Sequence, residues 1–176
     1  MLFRSVEDAG YVAYKRCTPI FHEVLRETSG DDSTKSRILD AGAGTGIVGK
    51  VLQDLGYTNI DALDISQKML DEAKKLNVYK EFFCAALSAE PIAEIPANQY
   101  DGLICVGTLT VGHVKPAAFD EILRVVKPGK ESSPGGGEGG RGTPMLKDRG
   151  CSSENSKADK SGRGFSFIRA RPLLKK

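Results

Sequence analysis

The feature that most constrains the fold is a short apolar strand that runs into a glycine-rich turn. Residues 38–46 read ILDAGAGTG, with glycines at Gly42, Gly44 and Gly46. These glycines allow positive φ angles and leave no Cβ in the path of a ligand. A turn of this kind after a buried strand is typical of α/β folds that bind a nucleotide against the backbone. The run therefore predicts a parallel α/β sheet with a nucleotide-type ligand at its edge.

Asp40 distinguishes between two kinds of nucleotide ligand. The fingerprint of a dinucleotide-binding turn is G-x-G-x-x-G, but Ile47 stands where its third glycine would be. A carboxylate two residues before Gly42 also repels phosphate oxygens and attracts a cation. An NAD-dependent oxidoreductase is therefore disfavoured. Asp40 is predicted to attract the ammonium group of a cationic ligand such as S-adenosylmethionine.

A second acidic residue follows at the distance that a βαβ unit requires. Apolar residues recur at helical spacing over residues 47–55, and Gly56 ends this predicted helix. Residues 59–63 predict the next strand, with Asp64 at its carboxyl end. Asp64 lies close to the offset of about 20 residues at which an acidic residue binds ribose hydroxyls. Capping of the following helix by Asp64 or Ser66 is the structural alternative.

The alternation of strands and helices continues through residue 129. Apolar runs predict a third strand over residues 81–87, a fourth over 100–107 and a helix over 117–126. This order predicts a parallel sheet with right-handed crossovers. Cys105 is interpreted as core packing because it lies among apolar residues of the fourth strand. Asp61, inside the second strand, is expected to lie on a solvated face.

The acidic residue and the three glycines also carry a resemblance to a known family. Asp40 followed by Gly42, Gly44 and Gly46 resembles the first motif of the class I S-adenosylmethionine-dependent methyltransferases. Residues 100–101, 106–109, 113–114 and 123–129 resemble more narrowly the small methyltransferase-like proteins encoded in the Williams-Beuren syndrome region. The resemblance implies a Rossmann-like α/β fold, S-adenosylmethionine as cofactor and methyl transfer to an acceptor of unknown, conceivably small-molecule, nature.

The resemblance further implies which residues hold the cofactor. Ile65 and Met69 are expected to pack near the adenine. Many relatives carry an aspartate after the third strand, whereas this chain has Ala86, Leu87 and Ser88, and loss of one charge-assisted hydrogen bond weakens binding by about 1.5 to 3 kcal/mol. The predicted cofactor-binding set is Asp40, Gly42, Ala43, Gly44, Gly46, Asp64, Ile65, Met69, Ala86, Leu87 and Val106.

The loop after the fourth strand is where acceptor chemistry is expected. His113 is a weak candidate for a general base there, and a histidine bonded to loop backbone is the favoured structural alternative. Methyl transfer from a sulfonium needs alignment more than acid–base help, so no catalytic dyad is required. No metal is expected, because the four cysteines are scattered without ligand spacing and are interpreted as reduced thiols.

Composition changes abruptly after residue 129. Residues 130–176 hold eleven Lys and Arg against five Asp and Glu, whereas residues 1–129 hold 14 against 18. The glycine-rich start of this tail offers little apolar surface and predicts disorder. The chain is thus divided into a helical segment (1–36), a cofactor-binding core (37–129) and a basic tail (130–176). The sheet is expected to be incomplete after the fourth strand, whose edge invites pairing with residues 165–168 or with a partner chain.

Partners, location and activity follow from the same observations. The chain has no apolar stretch of about 18 residues and no signal peptide, so no membrane partner and a cytoplasmic location are expected. Nucleic-acid binding is expected, if at all, through the basic tail alone.

The change in composition at residue 129 favours an alternative splice product or a gene-model error over a selected tail function. A truncated, catalytically inactive cofactor-binding or interaction protein is therefore the alternative to an active methyltransferase, and the oligomeric state is left open.

Overall fold

The computed structural model describes residues 13–107, 118–128 and 165–169, and within them a five-stranded sheet flanked by helices. The strands are β1 (Ile38–Ala41), β2 (Ile60–Asp64), β3 (Phe82–Cys84), β4 (Gly102–Val106) and β5 (Phe165–Arg169). The α-helices are α1 (Ala13–Ser29), α2 (Ile47–Asp54), α3 (Gln67–Lys74) and α4 (Ala118–Val125), and a 3₁₀ helix (Gly30–Lys35) follows α1.

The strand order is β3-β2-β1-β4-β5, and β1 to β4 run parallel. Helices α2 and α3 connect successive strands, so the predicted Rossmann-like α/β fold is confirmed. Asp40 lies opposite Ala62 of β2 and Ile104 of β4. The carboxyl ends of β1, β2 and β4 therefore meet at one edge of the sheet, where such folds place their ligands.

The sheet is covered on both faces, and alternate residues of β1 enter two different core clusters. Ile38 packs with the buried residues of α1, α2 and α3. Leu39 packs with those of α4 on the opposite face, where Cys105 is also fully buried, so its interpretation as core packing is confirmed. Strands buried on both faces in this way are the reason that β1 and β4 read as apolar runs.

Helix α1 packs against the sheet at the start of β4. Phe21 and Leu25 are buried on its inner face. A Cβ at Gly102 would lie 2.9 Å from Phe21 Cζ and 3.3 Å from Leu25 Cδ2, so the helix approaches closely because this position is a glycine.

The expectation that Asp61 lies on a solvated face is wrong, because Asp61 is fully buried. Its Oδ2 accepts hydrogen bonds from Arg37 Nε at 2.9 Å and from the Tyr100 hydroxyl at 3.0 Å. Its Oδ1 accepts the backbone N–H of Glu81 at 3.2 Å. A central parallel strand has no solvent face, so the charge is retained by pairing instead.

Two predicted strands are shorter in the structure. β3 ends at Cys84 rather than at residue 87, and the Ala85 N–H then donates to Asp64 O at 3.1 Å. β4 begins at Gly102 rather than at residue 100. The chain between β3 and β4 is held to α4 by Glu121, whose Oε1 accepts the Ile92 N–H at 2.9 Å.

The outer edge of β4 is paired. β5 runs antiparallel to it, with Phe165 opposite Val106 and Arg169 opposite Gly102. The parallel strands end at β4 as expected, and the segment 165–168 named for pairing lies within β5 and pairs with this edge. The rest of the tail lies outside the described residues, so the prediction of disorder is untested.

Candidate functional site

The glycine turn after β1 is held against the end of β2 by its own backbone. The N–H groups of Gly42 and Ala43 both donate to Leu63 O, at 2.7 and 3.0 Å. Gly46 N–H donates to Ala43 O at 2.9 Å. The φ angles are 81° at Gly42, 55° at Gly44 and 91° at Gly46, which are left-handed conformations that favour glycine.

Gly44 and Gly46 differ in what lies beside them. A Cβ at Gly44 would meet no described atom within 4 Å, so this backbone segment borders open space. A Cβ at Gly46 would lie 2.9 Å from Leu76 Cδ1 and 3.3 Å from Ala73 Cβ. The backbone at Gly44 is therefore uncovered among the described residues, whereas Gly46 lets α2 pack closely on α3.

Asp64 connects the end of β2 to the glycine turn. Its Oδ2 accepts the Gly44 N–H at 2.8 Å, and its Oδ1 accepts the Ser66 N–H at 2.8 Å. Ser66 is the N-cap of α3 and makes no side-chain capping bond. Each carboxylate oxygen retains acceptor capacity, so the half-buried Asp64 can close this local turn and still accept hydroxyl donors from a ligand.

Exposed apolar side chains flank Asp64. Ile65 is 74% exposed and Met69 is 45% exposed, which is unusual for large apolar side chains. Ala86 is exposed and Leu87 is half-buried against the second core cluster, and both follow β3, whose last residue pairs with Asp64. The structure thus brings four of the predicted cofactor-binding residues to the same edge as the glycine turn.

Two other predicted site residues are part of the core. Ala43 and Val106 are buried at the carboxyl ends of β1 and β4 and belong to the cluster under α2. The hydroxyl of Ser88, which follows Ala86 and Leu87 where many relatives carry an aspartate, accepts the Glu90 N–H at 3.1 Å. Ser88 therefore closes a local turn.

Asp40 is fully buried behind the turn. Its Oδ2 accepts a hydrogen bond from the Tyr79 hydroxyl at 2.7 Å, and its Oδ1 has no hydrogen-bond partner among the described residues. Burial raises the pKa of Asp40 to about 7, with the Tyr79 hydrogen bond opposing the rise and the charge of Asp64 adding to it. In this position Asp40 has no exposed surface for direct contact with a ligand.

Tyr79 and Gly49 belong to this site, and the sequence reasoning missed both. The Tyr79 hydroxyl accepts the Gly49 N–H at 3.1 Å, and a Cβ at Gly49 would overlap Tyr79 Cζ and its hydroxyl oxygen. Burial and the nearby Asp40 raise the pKa of Tyr79 well above its usual value. The available signal was a glycine inside a predicted helix, which marks a close approach when alanine would be the better helix former.

The candidate general base cannot be compared with its prediction, because His113 belongs to the segment 108–117, outside the described residues. Across residues 13–107 and 118–128 and the β5 strand, no three His, Cys, Asp or Glu residues cluster as a metal site. No helix in these ranges has the length and apolar character needed to cross a membrane.

Comparison with known sequences gives matches over the α/β core. The human methyltransferase-like protein 27 is 35% identical over 92 residues, which are 52% of this chain and 37% of that protein. The chain therefore spans little more than a third of the length of this curated relative.

Among solved structures, CalS10 with bound S-adenosylmethionine, an amino pentose methyltransferase from Micromonospora echinaspora, superimposes with a TM-score of 0.56 at 16% identity. The match covers 73% of this chain and 53% of CalS10. A putative S-adenosylmethionine-dependent methyltransferase from Methanococcus maripaludis gives 0.52 at 22% identity, covering 72% and 58%. At these identities the likeness shows the fold.

The family model described as "Methyltransferase domain" matches residues 38–129. Since this is more than half of the 176-residue chain, the protein belongs to that methyltransferase family.

Proposed function

We propose that the chain binds S-adenosylmethionine at the carboxyl edge of β1 and β2 and transfers its methyl group to an acceptor. The observation that carries this proposal is the Asp64 carboxylate, which is bonded to the Gly44 N–H of the glycine turn. Ile65 and Met69 lie exposed beside it. One edge thus offers a hydroxyl acceptor, an apolar surface and an uncovered backbone.

The described residues fit this cofactor. The space beside Gly44 admits a ligand against the backbone, because no described atom lies within 4 Å of a Cβ built there. Asp64 has acceptor capacity for ribose hydroxyls, and Ile65 and Met69 supply apolar surface for the adenine. Asp40 supplies negative charge behind the turn, which favours a ligand with an ammonium group.

Each residue has a part in positioning the reaction. S-adenosylmethionine, when bound, would supply an electrophilic methyl group on its sulfonium. Asp64 would hold the ribose, and Ile65 and Met69 would hold the adenine. Holding an acceptor in line with the methyl group accounts for most of what such a transfer needs.

The test is calorimetric titration of the full chain with S-adenosylhomocysteine and, separately, with NAD. We expect heat of binding with the first and none with the second. An Asp64→Ala variant should lose affinity by about tenfold or more, since it removes a charged acceptor. Asp54→Ala is the matched control, because Asp54 is exposed at the end of α2 and paired with Lys50. No binding of S-adenosylhomocysteine by a folded sample would contradict the proposal.

A further inference from the structure

Tyr79 fills the space between the first turn of α2 and the sheet. It lies between α3 and β3 and is 8% exposed. Its ring packs edge-on against Phe82, with centroids 5.7 Å apart. A Cβ at Gly46 would come within 3.2 Å of Tyr79 Cε2, and one at Gly49 would overlap the end of the ring. Two glycines of the turn and helix thus make room for one tyrosine.

The Tyr79 hydroxyl takes the place of a capping side chain. The N-cap of α2 is Gly46, which makes no side-chain bond to the helix, so the N–H groups of the first turn need another acceptor. The hydroxyl accepts the Gly49 N–H at 3.1 Å and donates to Asp40 Oδ2 at 2.7 Å. A single phenol therefore joins the start of α2 to the carboxylate that precedes the glycine turn.

Apolar side chains lie beside Asp40 as well. Ile104 of β4 lies opposite it, and Ile104 belongs to the same core cluster as Ile47 and Val48 of α2. The titratable groups that act on Asp40 within the described residues are Tyr79 and the Asp64 carboxylate. Because Asp40 Oδ1 has no hydrogen-bond partner within the described part of the chain, burial disfavours the charged form. The hydroxyl of Tyr79 and, to a smaller extent, the backbone N–H of Gly49 favour the charged form.

We propose that Tyr79 is a positioning residue, which holds Asp40 as an oriented carboxylate behind the glycine turn for the ammonium end of the cofactor. The inference rests on the proposed function. It assigns Tyr79 no contact with the ligand. The effect should be selective. Removal of the hydroxyl should lower the affinity for ligands that carry the ammonium group and leave the affinity for ligands without it almost unchanged.

The test uses two ligands that share the adenosine and differ in the amino-acid end. S-adenosylhomocysteine carries the ammonium group and 5′-methylthioadenosine lacks it. In calorimetric titrations at pH 7, we expect Tyr79→Phe to lower the affinity for S-adenosylhomocysteine about tenfold. The affinity for 5′-methylthioadenosine should fall by less than about threefold. Tyr57→Phe is the control, because Tyr57 is also buried and its hydroxyl bonds His22 Nδ1 at 2.9 Å. It should change neither affinity.

The pH profile separates this role from simple packing. Wild-type affinity for S-adenosylhomocysteine should rise between about pH 6 and 8 as Asp40 ionises. In Tyr79→Phe this rise should move to higher pH, because the lost hydrogen bond favoured the carboxylate. In Asp40→Asn the rise should be absent, and adding Tyr79→Phe to that variant should change the affinity no further.

The outcomes are distinct. Equal weakening of both ligands by Tyr79→Phe, or an unshifted pH profile, overturns the inference and leaves the proposed function standing. Failure of wild type to bind either ligand overturns both. If Tyr79→Phe does not fold, Asp40→Asn decides alone: a lost pH-dependent rise with unchanged 5′-methylthioadenosine affinity supports the inference, and a retained rise overturns it.

Discussion

At the scale of single residues, the degree of burial determines whether a carboxylate of the site is open to contact. Asp64 is half-buried and has both oxygens on backbone N–H groups of flanking turns. Asp40 is fully buried and shares one hydrogen bond with Tyr79. In the proposed function Asp64 would therefore contact the cofactor, whereas Asp40 would act through its electric field, which is stronger where water is excluded.

Asp40 gives the protein a pH-dependent stability. Its pKa is raised from 3.8 to about 7 in the folded chain. Between these values the folded chain keeps a proton that the unfolded chain has released, so the free energy of unfolding falls as pH rises, by at most about 1.4 kcal/mol per pH unit. Urea unfolding from pH 5 to 8 should show a smaller fall in Asp40→Asn than in wild type. Equal falls in both proteins would contradict this account, and Asp54→Asn should behave like wild type.

Gly44 and Gly46 should respond differently to alanine. In Gly46→Ala the added methyl group would lie 2.9 Å from Leu76 Cδ1, and the backbone there has a φ of 91°. We therefore expect a loss of about 1 to 3 kcal/mol in unfolding free energy. Gly44→Ala meets open space and should cost only about 1 kcal/mol for its left-handed backbone. The methyl group of Gly44→Ala would occupy the space proposed for the cofactor. When both variants are equally folded, Gly44→Ala should therefore lower the affinity for S-adenosylhomocysteine more than Gly46→Ala does. Thermal unfolding and calorimetry together check both expectations.

At the scale of elements, buried carboxylates join segments that are distant in sequence. Asp61 of β2 binds Arg37 before β1, Tyr100 before β4 and the backbone of Glu81 before β3. Glu121 of α4 binds Arg124, and Arg124 donates to Ile95 O at 2.7 Å. The first group fixes the amino ends of four strands, and the second fixes the segment between β3 and β4. Both lie away from the carboxyl edge and support its geometry indirectly.

Removal of Asp61 should be among the costlier single changes. Asp61→Ala leaves the buried Tyr100 hydroxyl without its acceptor, while the partly exposed Arg37 keeps its ion pair with Glu81, and we expect a loss of about 2 kcal/mol in unfolding free energy. Tyr100→Phe should cost about 1 kcal/mol, because the ion pair remains. The control is Asp32→Ala, since the Asp32–Lys35 pair is largely exposed and should contribute less than about 1 kcal/mol. Chemical denaturation measures all three, and a cost for Asp61→Ala no larger than that of Asp32→Ala would refute the role.

At the scale of the whole molecule, β5 completes the sheet from a segment far along the chain. Its five residues pair with all five of β4 in an antiparallel register. Without it, the outer N–H and C=O groups of β4 would be unpaired, and such an edge pairs readily with other chains. The covered edge also keeps β4 central, which leaves its carboxyl end beside β1.

Two shortened chains test this contribution of β5. A chain ending after residue 164 lacks β5, and a chain ending after residue 170 retains it. The first should show faster amide exchange in β4 and self-association in light scattering, while the second should match the full chain. Equal exchange and equal mass in both would show that β5 does not protect the edge.

The sequence by itself determined the α/β alternation, the glycine turn and the placing of Asp64 at the end of β2. These depend on local patterns: hydrophobic periodicity, glycine at left-handed positions and the spacing of a βαβ unit. Each can be read within a window of about 20 residues, which is why the four parallel strands and most of the carboxyl edge were predicted.

Only the tertiary structure decided the burial of Asp40 and Asp61, the part played by Tyr79 and the pairing of β5. Tyr79 and Asp40 are 39 residues apart, as are Tyr100 and Asp61, and no local pattern relates them. Whether a carboxylate is solvated or paired depends on which distant segment packs over it. For Asp40 that segment carries a tyrosine hydroxyl, a contact that the glycine motif itself does not contain.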